Sequence, residues 1–149
     1  MTSAPPPRRT GGRRVCLINP RSPFLINQAV FPPLGLWSIG ASLKAQGHEV
    51  VYADMGLGDD IPSDCEVYGV TGTSVHREQM RELVGWLREH ADGFLVAGGV
   101  HATVAPDDVA SMGYDLVVQG EGEMIMGCVA NDKPSSRLTG VIQARRIEN

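Results

Sequence analysis

Cysteine is scarce in this chain of 149 residues: Cys16, Cys65 and Cys128 are the only three, odd in number and far apart. No Cys-x-x-Cys pair and no mixed Cys/His spacing occurs, which excludes the usual zinc and iron–sulfur sites on sequence grounds. Cys16 and Cys65 sit in apolar, strand-like contexts, where a free thiol behaves as a small hydrophobe. A reduced, cytoplasmic protein is therefore expected. Long apolar runs are also missing. Nothing approaches the roughly 20 residues that a bilayer-spanning helix needs, so no membrane is expected as a partner. Charge of one sign is not concentrated either. A formal net charge of -4, with 20% charged residues, supplies neither the basic field that nucleic acid requires nor an acidic tail. Residues 1–13 carry Arg8, Arg9, Arg13 and the run Pro5-Pro6-Pro7 but no apolar core. They read as a disordered arm, not a secretory signal.

What the chain does have is glycine at the ends of short β-branched runs. Examples are Val67-Tyr68-Gly69-Val70-Thr71-Gly72, Leu95-Val96-Ala97-Gly98-Gly99 and Val117-Val118-Gln119-Gly120. A residue without Cβ lets the backbone approach a ligand closely. In an open parallel sheet, ligands sit at the carboxyl ends of the strands.

The order of elements follows from periodicity. Val15-Cys16-Leu17-Ile18 is a continuous apolar run, typical of a strand covered on both faces, and it stops at Asn19-Pro20. A long loop, Arg21 to Phe31, leads to a helix opened by Pro32-Pro33, with Leu36, Ile39 and Leu43 on its apolar face. Strand two spans His48 to Asp54, and Met55 to Asp64 is a loop. Strand three spans Cys65 to Thr71. Ser74 is the expected N-cap of a helix reaching His90, with Met80, Leu83, Val84 and Leu87 buried. Strand four is Phe94 to Ala97, a short helix starts at Pro106, strand five is Leu116 to Gln119, and a last helix starts near Glu121. Leu138 to Ile147 has the look of one or two terminal strands.

This alternation predicts an α/β fold: a three-layer, doubly wound, five-stranded parallel sheet in the flavodoxin-like order 2-1-3-4-5, with a short C-terminal β extension. The main domain is expected over residues 14–130, and the extension over 131–149. The switch point then gathers the loop from Asn19, the turn Thr71 to Ser74 and the turn Gly98 to His101 around one crevice.

Familiar occupants of such a crevice fit poorly. A flavin site of flavodoxin type wants a Ser/Thr-Gly loop after strand one, where this chain has Asn19-Pro20-Arg21. A phosphoacceptor domain wants an aspartate at the end of strand three, where this chain has Thr71. No Gly-x-Gly-x-x-Gly follows strand one.

A different family is matched in order and spacing. Asn19-Pro20, Pro33-Leu34-Gly35-Leu36, Gly47-His48-Glu49-Val50 and Asp54 open the match. Gly69-Val70-Thr71, Gly98-Gly99-Val100-His101-Ala102-Thr103, Pro106, Asp115-Leu116-Val117-Val118 and Gly120-Glu121-Gly122-Glu123 continue it. Residues 14–149 together resemble the N-terminal cobalamin-binding domain of cobalamin-dependent radical S-adenosylmethionine enzymes.

The resemblance implies a corrinoid on the carboxyl edge of the sheet, its nucleotide tail threaded beside the strands. The candidate binding residues are Asn19, Pro20, Thr71, Thr73, Ser74, Gly98, Gly99, Val100, His101, Gly120 and Glu121. Asp-x-His-x-x-Gly, whose histidine ligates cobalt in other B12 domains, does not occur, so base-off cobalamin without a protein ligand to the metal is implied. The Cys-x-x-x-Cys-x-x-Cys motif of the radical enzymes is also absent, so no iron–sulfur cluster is expected in this chain. The ending at Asn149, where the family continues into its barrel, suggests either a free-standing subunit with a separate radical S-adenosylmethionine chain as partner or a fragment cut before the barrel. The rival readings are a stand-alone cobalamin carrier or sensor and a cofactor-free interaction scaffold.

His101 after a glycine turn is expected to bond its neighbours more than a metal. Gly98-Gly99 is read as a ligand contact because Thr71 and Thr73 lie across the switch point from it.

Overall fold

A computed structural model describes residues 12–30, 32–131 and 140–143. Expectations for the arm before residue 12, for Phe31, and for residues 132–139 and 144–149 lie outside the described residues. The elements are β1 (Arg14–Asn19), α1 (Leu34–Ala45), β2 (Glu49–Asp54), β3 (Val67–Thr71), α2 (Arg77–His90), β4 (Phe94–Gly98), α3 (Val100–Val104), α4 (Pro106–Ser111), β5 (Leu116–Gln119), α5 (Glu123–Asn131) and β6 (Gly140–Gln143).

All strands pair in parallel, in the order β2-β1-β3-β4-β5-β6. The expected order of the first five is present. The sheet has six strands, however, because the terminal extension joins it at the edge with Leu116 opposite Gly140.

The two-residue period of a strand sends alternate side chains to opposite faces. Val15 and Leu17 of β1 go to one side, with Leu36 and Leu43 of α1 and Met126 and Val129 of α5. Cys16 and Ile18 go to the other, with Met80, Leu83, Val84 and Leu87 of α2 and Val109 of α4. All of these are buried. Two apolar layers sandwich the sheet, which is why β1 reads as an uninterrupted apolar run.

Two local details depart from expectation. The helix after β3 is not capped by Ser74. Thr73 precedes a short 3-10 turn, Ser74–His76, and α2 begins only at Arg77. The Ser74 hydroxyl is occupied elsewhere, 3.1 Å from His101 Nδ1. Second, Val100 and His101 are not turn residues; they open the short helix α3. The connection from β2 to β3 is, as expected, a loop without an α-helix. That connection holds a 3-10 turn, Met55–Leu57, with the Asp54 carboxylate accepting from Gly56 N–H at 3.1 Å. It is tied to the sheet by Tyr68, whose hydroxyl donates to the Pro62 carbonyl at 2.6 Å and accepts from Cys65 N–H at 3.2 Å.

Tyr114 plays a similar part for α2, donating its buried hydroxyl to the Met80 carbonyl at 2.6 Å. Removing that donor takes away a buried hydrogen bond. Tyr114→Phe is expected to lower stability by about 1–2 kcal/mol, read as a lower urea midpoint with an unchanged slope.

Candidate functional site

The carboxyl ends of β3, β4 and β5 open onto a slot of about 200 Å³ that runs between the sheet and the helices α1 and α5. Its walls are apolar: Leu17, Val96 and Val118 from the strands, Leu36 and Ile39 from α1, Met126 from α5. Gly35, Gly69, Gly98, Gly120 and Gly122 also line it, so most of its rim carries backbone without side chains.

The glycine pair at its mouth divides into two roles. A Cβ on Gly98 would meet only Val118 Cβ, 4.0 Å away; it would stand in the open slot. A Cβ on Gly99 would come 2.5 Å from Thr71 Oγ1, and Gly99 has a φ of 94°. Gly99 is therefore required by the protein's own packing, and Gly98 by the space beside it. Both glycines line the slot, but only Gly98 has free space beside it. A bulky residue at Gly99 disturbs the fold itself.

A polar chain runs behind the slot. His101 is buried, with 5% of its surface exposed. Its Nε2 lies 2.8 Å from Asp108 Oδ2 and its Nδ1 lies 3.1 Å from Ser74 Oγ. Asp108 is gripped by Arg77 through two bonds of 2.8 Å, from Nε to Oδ2 and from Nη2 to Oδ1. The Arg77 guanidinium, and after it the His101 ring, hold the Asp108 carboxyl well below the usual carboxylate range. Both ring nitrogens of His101 are engaged, so the ring is a structural tie between the turns after β3 and β4. Its backbone N–H adds to this, donating to the Gly72 carbonyl at 2.9 Å.

A second cavity, about 420 Å³, lies at the same rim and is lined by Asn19, Pro20, Ser22, Phe24, Leu25, Gln28, Thr73, Val75 and His76. The loop that walls it is braced by Gln28, which accepts from Ser22 N–H at 2.9 Å and donates to the Leu25 carbonyl at 2.7 Å. His76 Nδ1 accepts from Thr73 N–H at 3.0 Å. Burial lowers the His76 pKa from its ordinary 6.5.

The sequence-derived candidates thus separate. Thr71, Gly98, Gly99, Gly120 and Glu121 line the slot, while Asn19, Pro20 and Thr73 line the neighbouring cavity. Ser74 and His101 form the hydrogen-bonded pair, and Val100 is exposed at the start of α3. The slot's apolar wall from α1 and α5 was not among the candidates. Its trace in the sequence is the Leu36/Ile39 face, indistinguishable by pattern from any helix packed on a sheet.

A family model for the B12 binding domain matches residues 28–129. The chain belongs to the B12-binding domain family. It is 30% identical over 122 residues to an uncharacterized methyltransferase, sll1242, of Synechocystis sp. (strain ATCC 27184 / PCC 6803 / Kazusa), covering 79% of this chain and 22% of that protein. It is 26% identical over 149 residues to the anaerobic magnesium-protoporphyrin IX monomethyl ester cyclase of the same organism, covering 86% of this chain and 30% of that protein.

Among solved structures, it is similar in fold to TsrM from Kitasatospora setae, a radical S-adenosylmethionine methyltransferase with cobalamin and a [4Fe-4S] cluster bound. The TM-score is 0.69 at 24% identity, covering 80% of this chain and 24% of that one. OxsB, a cobalamin-dependent S-adenosylmethionine radical enzyme with aqua-cobalamin bound, gives 0.66 at 18% identity, covering 80% and 18%. This B12-binding domain therefore spans less than a third of the length of each of these relatives.

The slot suits the cofactor that the family name implies. A flat aromatic base with an attached phosphoribose needs an apolar, narrow channel with a few polar groups at its mouth. Leu17, Val96, Val118 and Met126 supply the channel, and Thr71 and Glu121 the polar mouth. Space beside Gly98, of the kind a side chain would fill, is open.

Two expectations follow. Gly99→Ala adds a positive-φ backbone penalty of about 1–3 kcal/mol to the contact with Thr71, whereas Gly98→Ala leaves stability within about 0.5 kcal/mol; thermal melts of the two variants separate these roles. For His76, the folded pKa lies below the unfolded value, so the unfolded chain binds the proton first. Stability is lost as pH falls below 6.5 until the folded value is reached. His76→Gln is expected to reduce the drop in melting temperature between about pH 7 and 5, measured in parallel with the parent.

Proposed function

We propose that this chain is a corrinoid-binding module that holds cobalamin base-off, its nucleotide tail in the slot between the sheet and α1/α5, for a separate catalytic chain. The observation that carries the reading is the open, apolar space facing Gly98 at the strand ends of a B12-binding domain. Bound there, a corrinoid would supply methyl-transfer chemistry, and the slot residues Leu17, Val96, Val118 and Met126 would hold its tail.

The lack of a protein ligand to cobalt is supported by three of the four histidines. His101 has both nitrogens committed to Ser74 and Asp108. His48 is tied to Arg13 N–H at 3.0 Å and to Asn131 at 2.8 Å. His90 stacks on Trp86 at a centroid separation of 4.3 Å, on the outer end of α2. Neither lines the slot.

The separate partner is supported by the rim. Phe24, Ile26, Val30, Val75, Val100, Val104 and Met124 are exposed around the strand ends or the helices and loops beside them. Such a collection of apolar side chains is a surface that another protein covers. A chain that carries the radical S-adenosylmethionine barrel is the class of partner it suits. No helix among the described residues is long and apolar enough to cross a membrane.

The test is direct. Purified protein is mixed with hydroxocobalamin, desalted, and its visible spectrum recorded. Retained corrinoid with a base-off spectrum is expected, and Gly98→Val is expected to abolish retention while the melting curve stays that of the parent. Equal retention by Gly98→Val, or a spectrum with the cofactor's own base still on cobalt, contradicts the assignment of the slot.

A further inference from the structure

We infer that Ser74 and His76, in the turn between β3 and α2, form a recognition pair for the peripheral carboxamides of the corrinoid, Ser74 accepting from an amide N–H and His76 donating to an amide carbonyl. This inference rests on the cobalamin reading above and goes beyond it, because it assigns the chemical feature by which this rim tells one corrinoid from another.

The polarity of each group is set by its inner partners. Asp108 is ionised and doubly bound by Arg77, so the His101 nitrogen facing it at 2.8 Å carries the proton. In the neutral ring the other nitrogen is then bare, and it takes the Ser74 hydroxyl proton at 3.1 Å. Ser74, exposed at the rim, has only lone pairs left to offer outward. His76 is the reverse case. Its Nδ1 accepts from Thr73 N–H at 3.0 Å, so in the neutral ring the proton sits on Nε2. That nitrogen has no hydrogen-bond partner among the described residues, and His76 lines the 420 Å³ cavity. Burial favours this neutral form.

An outward acceptor and an outward donor each find a match on primary carboxamides, which carry both an N–H donor and a carbonyl acceptor. A corrin ring is edged with such amides. A carboxylate in the same place offers acceptors only. Ser74 then has to turn its proton outward, which leaves His101 Nδ1 without a partner in a buried site. His76 serves either group equally well. Position in the fold suits the role: Thr71 lies on the slot wall and Val75 and His76 on the wall of the second cavity, with Ser74 between them in the chain.

The experiment compares two probes, hydroxocobalamin and a corrinoid whose side-arm amides have been hydrolysed to carboxylates, by equilibrium titration against the parent, Ser74→Ala and His76→Phe. The parent is expected to prefer the amide form by about tenfold or more. Ser74→Ala is expected to lose that preference. His76→Phe is expected to weaken both probes by about tenfold while keeping the preference. Melting curves of the three proteins establish that each variant is folded. A Ser74→Ala protein with the parent's preference, a His76→Phe protein with the parent's affinities, or a parent that binds both probes equally overturns the pair. A parent that binds neither probe overturns the cobalamin reading itself, a separate and recognisable outcome.

Discussion

The structure turns on the close approach of two loops. Gly99 lies against the Thr71–Gly72 backbone with no room for a Cβ, and the His101 N–H reaches the Gly72 carbonyl at 2.9 Å. This contact sets the turn after β4 against the turn after β3, and everything at the strand ends takes its position from it. Gly98 is left facing outward over the slot. His101 is carried to Ser74 on one side and to Asp108 on the other. A side chain at position 99 would part the two loops, and the slot mouth and the polar chain would both shift.

The two rim cavities divide the chemistry. One is apolar, walled by strand residues and by two helices whose packing leaves a channel instead of a filled core. The other carries polar groups in defined orientations on a loop braced by Gln28. A large amphipathic ligand needs both kinds of surface, since burying its flat base draws on apolar area while its amides require partners that match in polarity. The Arg77–Asp108–His101 chain lies outside both cavities, yet it sets the proton position of a hydroxyl at their edge.

Much of this was legible in the residues. Continuous apolar runs and their spacing located the first five strands and their order, because a strand buried on both faces has few other ways to look. The glycines marked the edge at which the slot opens. Their separate duties were not legible: Gly98 and Gly99 are adjacent and identical, and only backbone geometry tells which faces a neighbour and which faces space. Ser74 was a reasonable helix cap by type, but a hydroxyl with a buried imidazole within reach bonds that ring instead, and α2 starts three residues later. The sixth strand was ambiguous because Gly140–Gln143 is short and lies on the sheet edge, mostly exposed, so its pattern carries little burial signal.

The connection from β2 to β3 has a consequence for the molecule's mechanics. Where a sheet of this kind commonly places a helix, this chain has an irregular segment, held at its far end by the phenol of Tyr68. Coil of that sort has no repeating ladder to resist peeling, so its detachment costs less than global unfolding. A protease probing the native state is expected to nick this flank, on the side of the sheet away from the slot, while the slot edge stays closed.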